Sequence, residues 1–382
     1  MAAPKYDLYE GVEGPGPNFE HAFGGDNDDD NSGVLRYVSI RHTGNVFAPA
    51  RELNSLSMGG VGRGTTIEYV ESFASSDDGF EFWGGTVNTR HLVAAFIEDD
   101  DFDTDQGYSG INQFWFGIKP PWQGSSDSRG LETDGDLNQN VTGELPISRW
   151  AAHNVTLIGR GTADAGFGGG VAWNPRDEAA PQVYNSIVTG FAEGVRLDND
   201  GMLHFTNGVA GAWNTIWNVG ASGNANGQML FTTAGYGNTL EDPLLGAVSF
   251  TNNLGLNPRP QTSSPAFSNV LPGAPVAVNY RGAFSGPADD WADGWTALSS
   301  LGYLTKAATT LALEWAAVDA VTLQIRFGSE SGKSYQVQST TELSNPGAWQ
   351  NRGAALPGTG TTLNYTEPRD SAQARFYRVV VQ

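Results

Sequence analysis

An acidic segment between residues 75 and 105 carries the side chains best suited to chemistry. Within it, aspartates occupy four alternating positions: Asp99, Asp101, Asp103 and Asp105. If the backbone is extended here, all four carboxylates project from one side at a spacing of about 6.5–7 Å. Such carboxylates cannot be buried unpaired, so they either face water or bind a cation. Oxygen ligands at this density favour a hard ion. The segment therefore predicts a Ca²⁺ site, with a solvated acidic face as the alternative.

A second hypothesis for the same segment is catalysis by paired carboxylates. Glycoside hydrolases use two carboxyl groups about 5–10 Å apart, one protonated and one ionised. If neighbouring stretches meet in the fold, five acidic residues are candidates for that pair: Asp77, Asp78, Glu81, Asp100 and Asp101. Crowding would raise the pKa of one of them, as a general acid requires. The first two are also candidates for additional Ca²⁺ ligands.

Aromatic and basic residues near the acidic segment are candidate substrate contacts. Flat side chains can stack on sugar rings, and the candidates for this role are Trp83, Trp115 and Trp122. The alternative is that these tryptophans lie in the core, which is the commoner place for large aromatic side chains. Arg90 and His91 are the further candidates for binding substrate. The five histidines show no zinc-binding spacing.

A second acidic run, residues 26–31, places Asp28 and Asp30 in a pattern similar to that of a calcium loop. The run lacks the glycine at the sixth position and the glutamate at the twelfth that an EF-hand requires, so it is not an EF-hand. We predict Asp28 and Asp30 as further Ca²⁺ ligands. Hydrogen-bonded turns in a solvated loop are the alternative.

Composition and charge exclude several classes of partner. The 382 residues include 42 acidic and 21 basic ones, which gives a formal net charge of −21. Binding to nucleic acid or to an anionic membrane is not expected, because both need clustered Lys and Arg. No apolar run is long enough to span a membrane, and the absence of cysteine excludes disulfides and thiolate metal sites.

Few basic residues lie in the first 110 positions, and a polyanion would be repelled there. A calcium-assisted polysaccharide lyase therefore ranks below a hydrolase.

Short apolar strands, separated by turns rich in Gly, Asn and Asp, surround the acidic segment. Examples are Val34–Arg41, Ile111–Ile118 and His204–Thr206. No helix-length periodic segment lies between them, which is typical of a sandwich or of a solenoid of parallel strands. A near-repeated phrase, in which an asparagine precedes an aliphatic strand, favours the solenoid because several coils must stack to bury one hydrophobic face. The phrase contains Asn88, Asn154 and Asn185.

Five longer phrases carry a resemblance to known proteins. They are DDDNSGVLRYVSI at residues 28–40, NSLSMGGVGRGTTIEYV at 54–70, DDGFEFWGGTVN at 77–88, DDDFDTDQGYSG at 99–110 and NYRGAFSGPADDWADGW at 279–295. The chain resembles, over about residues 20–300, a family of exported bacterial right-handed parallel β-helix proteins. The resemblance implies this fold and export, and little chemistry. Members commonly have further coils before the first phrase, so we expect either a monomer or an oligomer stacked end to end.

We predict an all-β chain of two domains: a right-handed parallel β-helix over residues 1–303 and a small β-sandwich over residues 304–382. Residues 119–145 are predicted as a loop insertion that walls a binding site. Residues 271–302 are predicted as a cap that closes the open end of the core, with Trp291 and Trp295 as its plug. After residue 303 the strands alternate apolar and polar residues, which resembles the fibronectin-like accessory modules of exported bacterial proteins.

These features predict an exported carbohydrate-active protein, secreted or at the cell surface, that binds a polysaccharide or a cell-surface glycan. The first residues lack the apolar stretch of a signal peptide, so we expect the signal to precede this sequence. The first hypothesis is glycan cleavage beside Asp77–Glu81 and Asp99–Asp105. A non-catalytic calcium-binding adhesion protein and a calcium-assisted lyase are the alternatives.

Overall fold

A computed structural model describes residues 6–8, 22–45, 53–122, 128–135, 145–161, 170–198, 201–307, 313–317, 321–329, 331–342, 348–369 and 375–381. The chain divides into two compact units, residues 1–307 and residues 308–382.

Short strands make up most of the regular structure of the first unit. In chain order they are β1 (Tyr6–Leu8), β2 (Ala22–Gly24), β3 (Val34–Arg41), β4 (Leu56–Gly59), β5 (Thr66–Phe73), β6 (Phe80–Trp83), β7 (Thr89–Ala95), β8 (Phe102–Asp105), β9 (Ile111–Ile118), β10 (Arg129–Thr133), β11 (Ala151–His153), β12 (Thr156–Ile158), β13 (Val171–Pro175), β14 (Gln182–Tyr184), β15 (Ile187–Thr189), β16 (Glu193–Val195), β17 (Gly211–Trp213), β18 (Ile216–Asn218), β19 (Ala221–Gly223) and β20 (Thr239–Leu240). The helices are α1 (Met202–Thr206), α2 (Met229–Thr232) and α3 (Ala297–Ser300), with 3₁₀ turns at Ala234–Tyr236 and Pro265–Phe267.

Successive coils stack two parallel sheets. In the described part of the chain, β4, β6, β8, β10, β13, β16 and β19 form a seven-stranded sheet, and the remaining strands from β3 to β20 form an eleven-stranded one. Each strand pairs in parallel with its equivalent one coil later, so that Phe80 lies opposite Phe102, and Phe102 opposite Leu131. The predicted parallel β-helix is confirmed.

The interior of the solenoid is filled by side chains that alternate with outward ones along each strand. Phe80 and Phe102 stack at 5.4 Å between ring centroids, and Phe102 stacks on Trp115 at 4.5 Å. All three side chains are fully buried. Equivalent positions of successive coils therefore form continuous columns, which fix the register of both sheets and of the side chains on their outer faces.

A residue in the left-handed conformation bends the eleven-stranded sheet at the same position of successive coils, either within a long strand, as at Tyr69, or between two short strands, as at Asn154. The column of equivalent residues is Tyr37, Tyr69, His91, Phe114, Asn154, Asn185 and Asn214, with φ between 50° and 61°. Asparagine tolerates this conformation better than most residues. Asn154 and Asn185 of the near-repeated phrase therefore occupy equivalent positions of successive coils. The assignment of Asn88 to the same position is wrong, because the equivalent residue of that coil is His91, three positions later.

Residues 269–304 lie along the outer face of the eleven-stranded sheet. Phe284 and Leu298 pack on outward-facing Phe73, Phe96 and Phe116 of that sheet. The expectation that this segment plugs the open end of the core is therefore wrong, because apolar residues on the outer face of the sheet provide the surface that it buries.

Two other local expectations also differ from the structure. The expected insertion at residues 119–145 contains β10, a member of the seven-stranded sheet, while residues 123–127 and 136–144 lie outside the described residues. The expected strand His204–Thr206 belongs to helix α1, in which Phe205 is buried in the core.

The second unit contains two antiparallel sheets. Its strands are β21 (Glu314–Ala317), β22 (Thr322–Gly328), β23 (Ser334–Thr340), β24 (Gln350–Pro357), β25 (Thr362–Pro368) and β26 (Phe376–Val381). Within the described residues, one sheet has the order β21-β22-β25 and the other the order β24-β23-β26. Ile325 and Phe327 from the first sheet form one core with Tyr335 and Val337 from the second. The predicted β-sandwich is confirmed.

Candidate functional site

The outer face of the seven-stranded sheet gathers acidic residues from successive coils. Glu81 on β6 lies opposite Asp103 on β8, and Glu132 occupies the equivalent position on β10. Asp78 and Asp100 each lie two residues before an inward-facing phenylalanine, Phe80 and Phe102. They also meet between neighbouring coils, because the Asp100 N–H donates to Asp78 Oδ1 at 2.9 Å. We call Asp77, Asp78, Glu81, Asp99, Asp100, Asp103 and Glu132 the acidic cluster. Stacking thus brings together carboxylates that are 22 or more residues apart in sequence.

Two sets of carboxylates within the cluster approach closely enough to share an ion. Oxygens of Asp78, Glu81 and Asp103 all lie within 4.8 Å of one another, and so do oxygens of Asp77, Asp78 and Asp99. Asp78 belongs to both sets. Two ligands of one Ca²⁺, each at 2.3–2.6 Å, are at most about 5 Å apart, and carboxylate oxygens are the ligands that Ca²⁺ prefers. The geometry and chemistry of both sets therefore fit this ion.

Burial and mutual repulsion shift the acidity of the cluster. Burial raises the pKa of Asp78 well above its ordinary value, and the negative charge of Asp100, Asp103 and Glu81 raises it further. Burial likewise raises the pKa of Asp103, and that of Asp100 to about 7. The pKa of Glu132 rises to about 11, again through burial first. Without a cation, the cluster therefore holds some of its carboxyl groups in the protonated form.

Two arginines border the cluster on the next coils. Arg129, at the position equivalent to Asp100, is buried, and its Nε donates to Asn174 Oδ1 at 3.0 Å. Arg176 donates to both carboxylate oxygens of Asp134 at 2.8 and 2.7 Å and lies 3.0 Å from Glu132 Oε2. Reasoning from the sequence missed both arginines because it considered basic residues only within the first 110 positions. Both arginines could have been located from the coil register, which places them beside the acidic cluster.

Asp101 does not share the orientation of its neighbours. It points into the coil, where its Oδ1 lies 3.2 Å from Lys119 Nζ, and both side chains are at most 1% exposed. The expectation that Asp99, Asp101, Asp103 and Asp105 all project from one side is wrong, because β8 begins only at residue 102 and a turn precedes it. Asp105, half-buried at the end of β8, lies opposite Trp83 and outside both close sets.

The early acidic run lies apart from these two sets. Asp28 pairs with Arg63 at 3.4 Å, and Asp30 Oδ2 accepts from the Ser32 hydroxyl at 2.9 Å. Both aspartates are exposed. This arrangement matches the alternative of hydrogen-bonded turns in a solvated loop, and Ca²⁺ binding by Asp28 and Asp30 stays a prediction.

The aromatic candidates divide between core and surface. Trp115 is fully buried and Trp83 is buried against Phe23, so neither can offer a flat face to a sugar, and that interpretation is wrong for both. Trp122 is 43% exposed, and its indole N–H donates to Glu98 Oε1 at 2.8 Å. Trp122 remains a candidate contact.

Arg90 and His91 lie on the eleven-stranded sheet, away from the outer face that carries the acidic cluster. Arg90 donates through Nε to Glu68 Oε1 at 3.1 Å. The His91 ring is stacked between Tyr69 at 4.3 Å and Phe114 at 4.8 Å. The expectation that Arg90 and His91 bind substrate beside the acidic cluster is therefore wrong, because they project from a different sheet of the coil.

Comparison with protein families agrees with this architecture. Residues 14–233, more than half of the chain, match the model of the pectate-lyase-like β-helix domain. The chain therefore belongs to this family, and the predicted membership of a right-handed parallel β-helix family is confirmed. A search of curated proteins found no match. Among the described residues, no helix is long and apolar enough to cross a membrane. Family membership makes the chain a candidate for action on polysaccharides.

Proposed function

We propose that this chain is a calcium-dependent lyase that cleaves a polysaccharide containing uronic acids at the acidic cluster. The observation that carries the proposal is the position of Arg129 and Arg176 beside two carboxylate sets that share Asp78. One argument against a lyase was the lack of basic residues near the acidic segment, and these two arginines supply basic groups there. The pectate-lyase-like family supports the same choice.

Ca²⁺ would be held by Asp78 together with Glu81 and Asp103 or with Asp77 and Asp99. When bound, it offsets the repulsion within the cluster and attracts the carboxylates of the substrate. Neutralisation by a cation is needed because a polyanion would otherwise be repelled by this face.

Elimination requires removal of a proton from the carbon next to a uronate carboxylate, followed by cleavage of the glycosidic C–O bond. We assign proton removal to Asp100, whose pKa of about 7 suits a general base. Its Oδ1 accepts the Arg129 backbone N–H, which fixes the carboxylate. Negative charge then develops on the uronate carboxylate, and the guanidinium of Arg176, whose side chain is 26% exposed, stabilises it. The leaving oxygen takes its proton from solvent, and the product carries a carbon–carbon double bond.

A glycoside hydrolase is the second candidate, and one observation favours it. Asp78, Glu81 and Asp103 are close enough for the carboxyl pair of a retaining enzyme, about 5–5.5 Å apart. The raised pKa of Asp78 and Asp103 would keep one group protonated as the general acid. In this mechanism a second carboxylate attacks the sugar, and water completes the hydrolysis.

The two mechanisms give different products. The protein should be incubated with polygalacturonate and with alginate, with added Ca²⁺ or with EGTA. If the protein is a lyase, its product is unsaturated and absorbs ultraviolet light. The activity is then lost in EGTA. A hydrolase yields new reducing ends without that absorbance. Asp78→Asn should abolish either activity, and Asp290→Asn, which changes an exposed aspartate that is not a predicted Ca²⁺ ligand, is the matched control. If neither polymer is cleaved while Ca²⁺ still binds, the adhesion alternative replaces the lyase.

A further inference from the structure

We propose a second carbohydrate site, which binds a neutral polysaccharide in a groove on the outer face of the eleven-stranded sheet. The groove has a volume of about 930 Å³. Its floor consists of outward side chains from β5, β7, β9, β11 and β14, which are consecutive strands of the stack, and residues 271–275 form a wall. The acidic cluster lies on the other parallel sheet, so this inference does not rest on the proposed catalytic function.

The wall of the groove is fixed at both ends by paired hydrogen bonds. Asn185 donates to the Leu271 carbonyl at 2.8 Å and accepts the Leu271 N–H at 2.9 Å. Gln113 donates to the Val276 carbonyl at 2.9 Å and accepts the Val276 N–H at 2.8 Å. Each side-chain amide thus holds one end of the wall against the sheet. A preformed groove loses less conformational entropy when a ligand binds.

Polar groups along the floor can meet the hydroxyls of a sugar chain. The Asn88 oxygen accepts from the Ile111 N–H at 2.7 Å, and the Gln182 amide nitrogen donates to the Val209 carbonyl at 2.8 Å. These bonds hold both side chains and leave the Asn88 nitrogen and the Gln182 oxygen to face a ligand. The faces of the Tyr184 ring are covered by His153 at 4.8 Å and by Trp213 at 4.9 Å. The tyrosine therefore offers its hydroxyl and not a stacking surface.

The repeat of the floor suits a linear polymer that lies along the solenoid axis. Equivalent positions of neighbouring strands are about 4.7–4.9 Å apart. That spacing is close to the rise per sugar of an extended polysaccharide, so successive residues of one chain would meet successive coils in similar positions.

The charge of the groove favours a neutral ligand. Its charged lining consists of Arg63, Glu68 and Arg90. Arg90 pairs with Glu68, and Arg63 lies 3.4 Å from Asp28 and 3.5 Å from Asp29. Arg36 also pairs with Glu68, at 2.8 Å, so three cations and three carboxylates balance the charge locally, although the whole chain carries a net charge of −21. The groove therefore presents no excess charge to attract a charged polymer, and a neutral polysaccharide can bind there without electrostatic repulsion.

A peptide is a poorer fit than a sugar chain. Extended peptides bind by adding a strand to an exposed sheet edge. The floor strands β5, β7, β9, β11 and β14 each pair with neighbours on both sides, so they offer no such edge. In the wall, Pro272 and Pro275 have no N–H to donate to a peptide.

Calorimetry with soluble neutral oligosaccharides tests this site on the full chain. The panel is cellohexaose, xylohexaose and mannohexaose, with hexagalacturonate and a proline-rich peptide for comparison. We expect at least one neutral hexasaccharide to bind. Ala151→Trp fills the floor and should weaken that binding at least tenfold. Val34→Trp is the matched control, because Val34 is 70% exposed in the same outward row, beyond the residues that line the groove.

Tyr184→Phe is the second variant, because it removes one hydroxyl and keeps the ring stack. It should weaken binding by about 3–10-fold, the effect of one hydrogen bond. Asp78→Asn should leave binding unchanged, which separates this site from the acidic cluster. The proposal is overturned if no neutral oligosaccharide binds, if only hexagalacturonate or the peptide binds, or if Ala151→Trp binds as tightly as Val34→Trp while both variants are folded by circular dichroism.

Discussion

Lys119 Nζ lies 3.2 Å from Asp101 Oδ1 inside the solenoid, and the same ammonium group donates to the carbonyl oxygens of Asp99 and Arg129. Its three donors are thereby satisfied. One buried cation thus links the turn before β8 to the start of β10, which present Asp99, Asp100 and Arg129 to the acidic cluster. Burying such a pair costs desolvation, so we interpret the pair as a positioning device for the cluster.

Replacing Lys119 by Met should destabilise the first unit strongly, by about 3–5 kcal/mol, because Asp101 loses its buried partner. The double variant Lys119→Met/Asp101→Asn should recover part of that loss, because no buried charge remains. Urea unfolding measures both changes. Ca²⁺ affinity should stay weakened in the double variant, since the backbone of Asp99 has lost its anchor. Equal affinity in the double variant and the wild type would argue against positioning.

Replacing Asp78 by Asn should remove most of the stabilisation that Ca²⁺ provides, because this residue belongs to both carboxylate sets. A ligand at one hundred times its Kd stabilises the folded state by about 2.7 kcal/mol. In EDTA the variant should be about as stable as wild type, because without a cation the raised pKa keeps the Asp78 carboxyl protonated and Asn replaces one neutral side chain by another. Thermal unfolding with and without Ca²⁺ measures both effects, with Asp290→Asn, at an exposed aspartate that is not a predicted Ca²⁺ ligand, as control. If Ca²⁺ stabilises Asp78→Asn as much as wild type, the ion binds elsewhere.

Acid should destabilise the fold in part through His91. Burial and the charge of Arg90 lower the pKa of this imidazole from 6.5 to about 4. The folded state favours the neutral ring. The contribution of neutral His91 to the free energy of unfolding is therefore fully present above pH 6.5 and is lost as pH falls towards 4. The loss is of order 2–3 kcal/mol.

His91→Phe keeps a ring in the stack between Tyr69 and Phe114 and cannot be protonated. The difference in unfolding free energy between this variant and wild type should grow in favour of the variant as pH falls from 7 to 4. His42→Phe, at a more exposed histidine, is the control. A difference that does not change with pH would contradict the expected role of His91.

Glu71 should hold the C-terminal segment of the first unit on the sheet. Its carboxylate accepts the N–H groups of Ala297 at 2.6 Å and Leu298 at 3.3 Å, and it is fully buried. Glu71→Ala leaves both donors without this partner, at a cost of about 1–3 kcal/mol each. Hydrogen exchange should accelerate at residues 297–304 more than in the core strands. Glu68→Ala, which removes an outward glutamate on the same strand, is the control. Uniform acceleration in both variants would mean that Glu71 has no special role in that contact.

Much of the fold could be predicted from the sequence, because strand and turn patterns repeat along the chain. Val34–Arg41 and Ile111–Ile118 are strands with the predicted bounds. The stacking of coils also predicted that the segments around Asp78 and Asp100 meet. The orientation of the Asp101 side chain could not be predicted, because it depends on the turn that immediately precedes β8. Residues 269–304 cover apolar side chains on the outer face of the eleven-stranded sheet. A repeat pattern alone does not distinguish such outward apolar side chains from those of the core.

The candidate site was predicted in part, for a related physical reason. The alternation of Asp103 with Phe102 and Thr104 identifies one outward carboxylate on β8. The approach of Arg129 to the same face depends on the coil register, and the gap between β8 and β10 differs in length from the gaps between earlier coils. Insertions of this kind hide which residues are equivalent until the coils are superposed.

The bent column of the eleven-stranded sheet changes its chemistry halfway along the solenoid. Its first four members are rings stacked on one another, whereas Asn154, Asn185 and Asn214 each donate to a carbonyl of the segment between residues 269 and 280. The three asparagine amides therefore depend on a distant part of the chain for these hydrogen bonds, whereas the stacked rings find their partners within the coils themselves. Removing that segment would leave the asparagines of the late coils without these acceptors, while the ring-to-ring contacts of the early coils would persist.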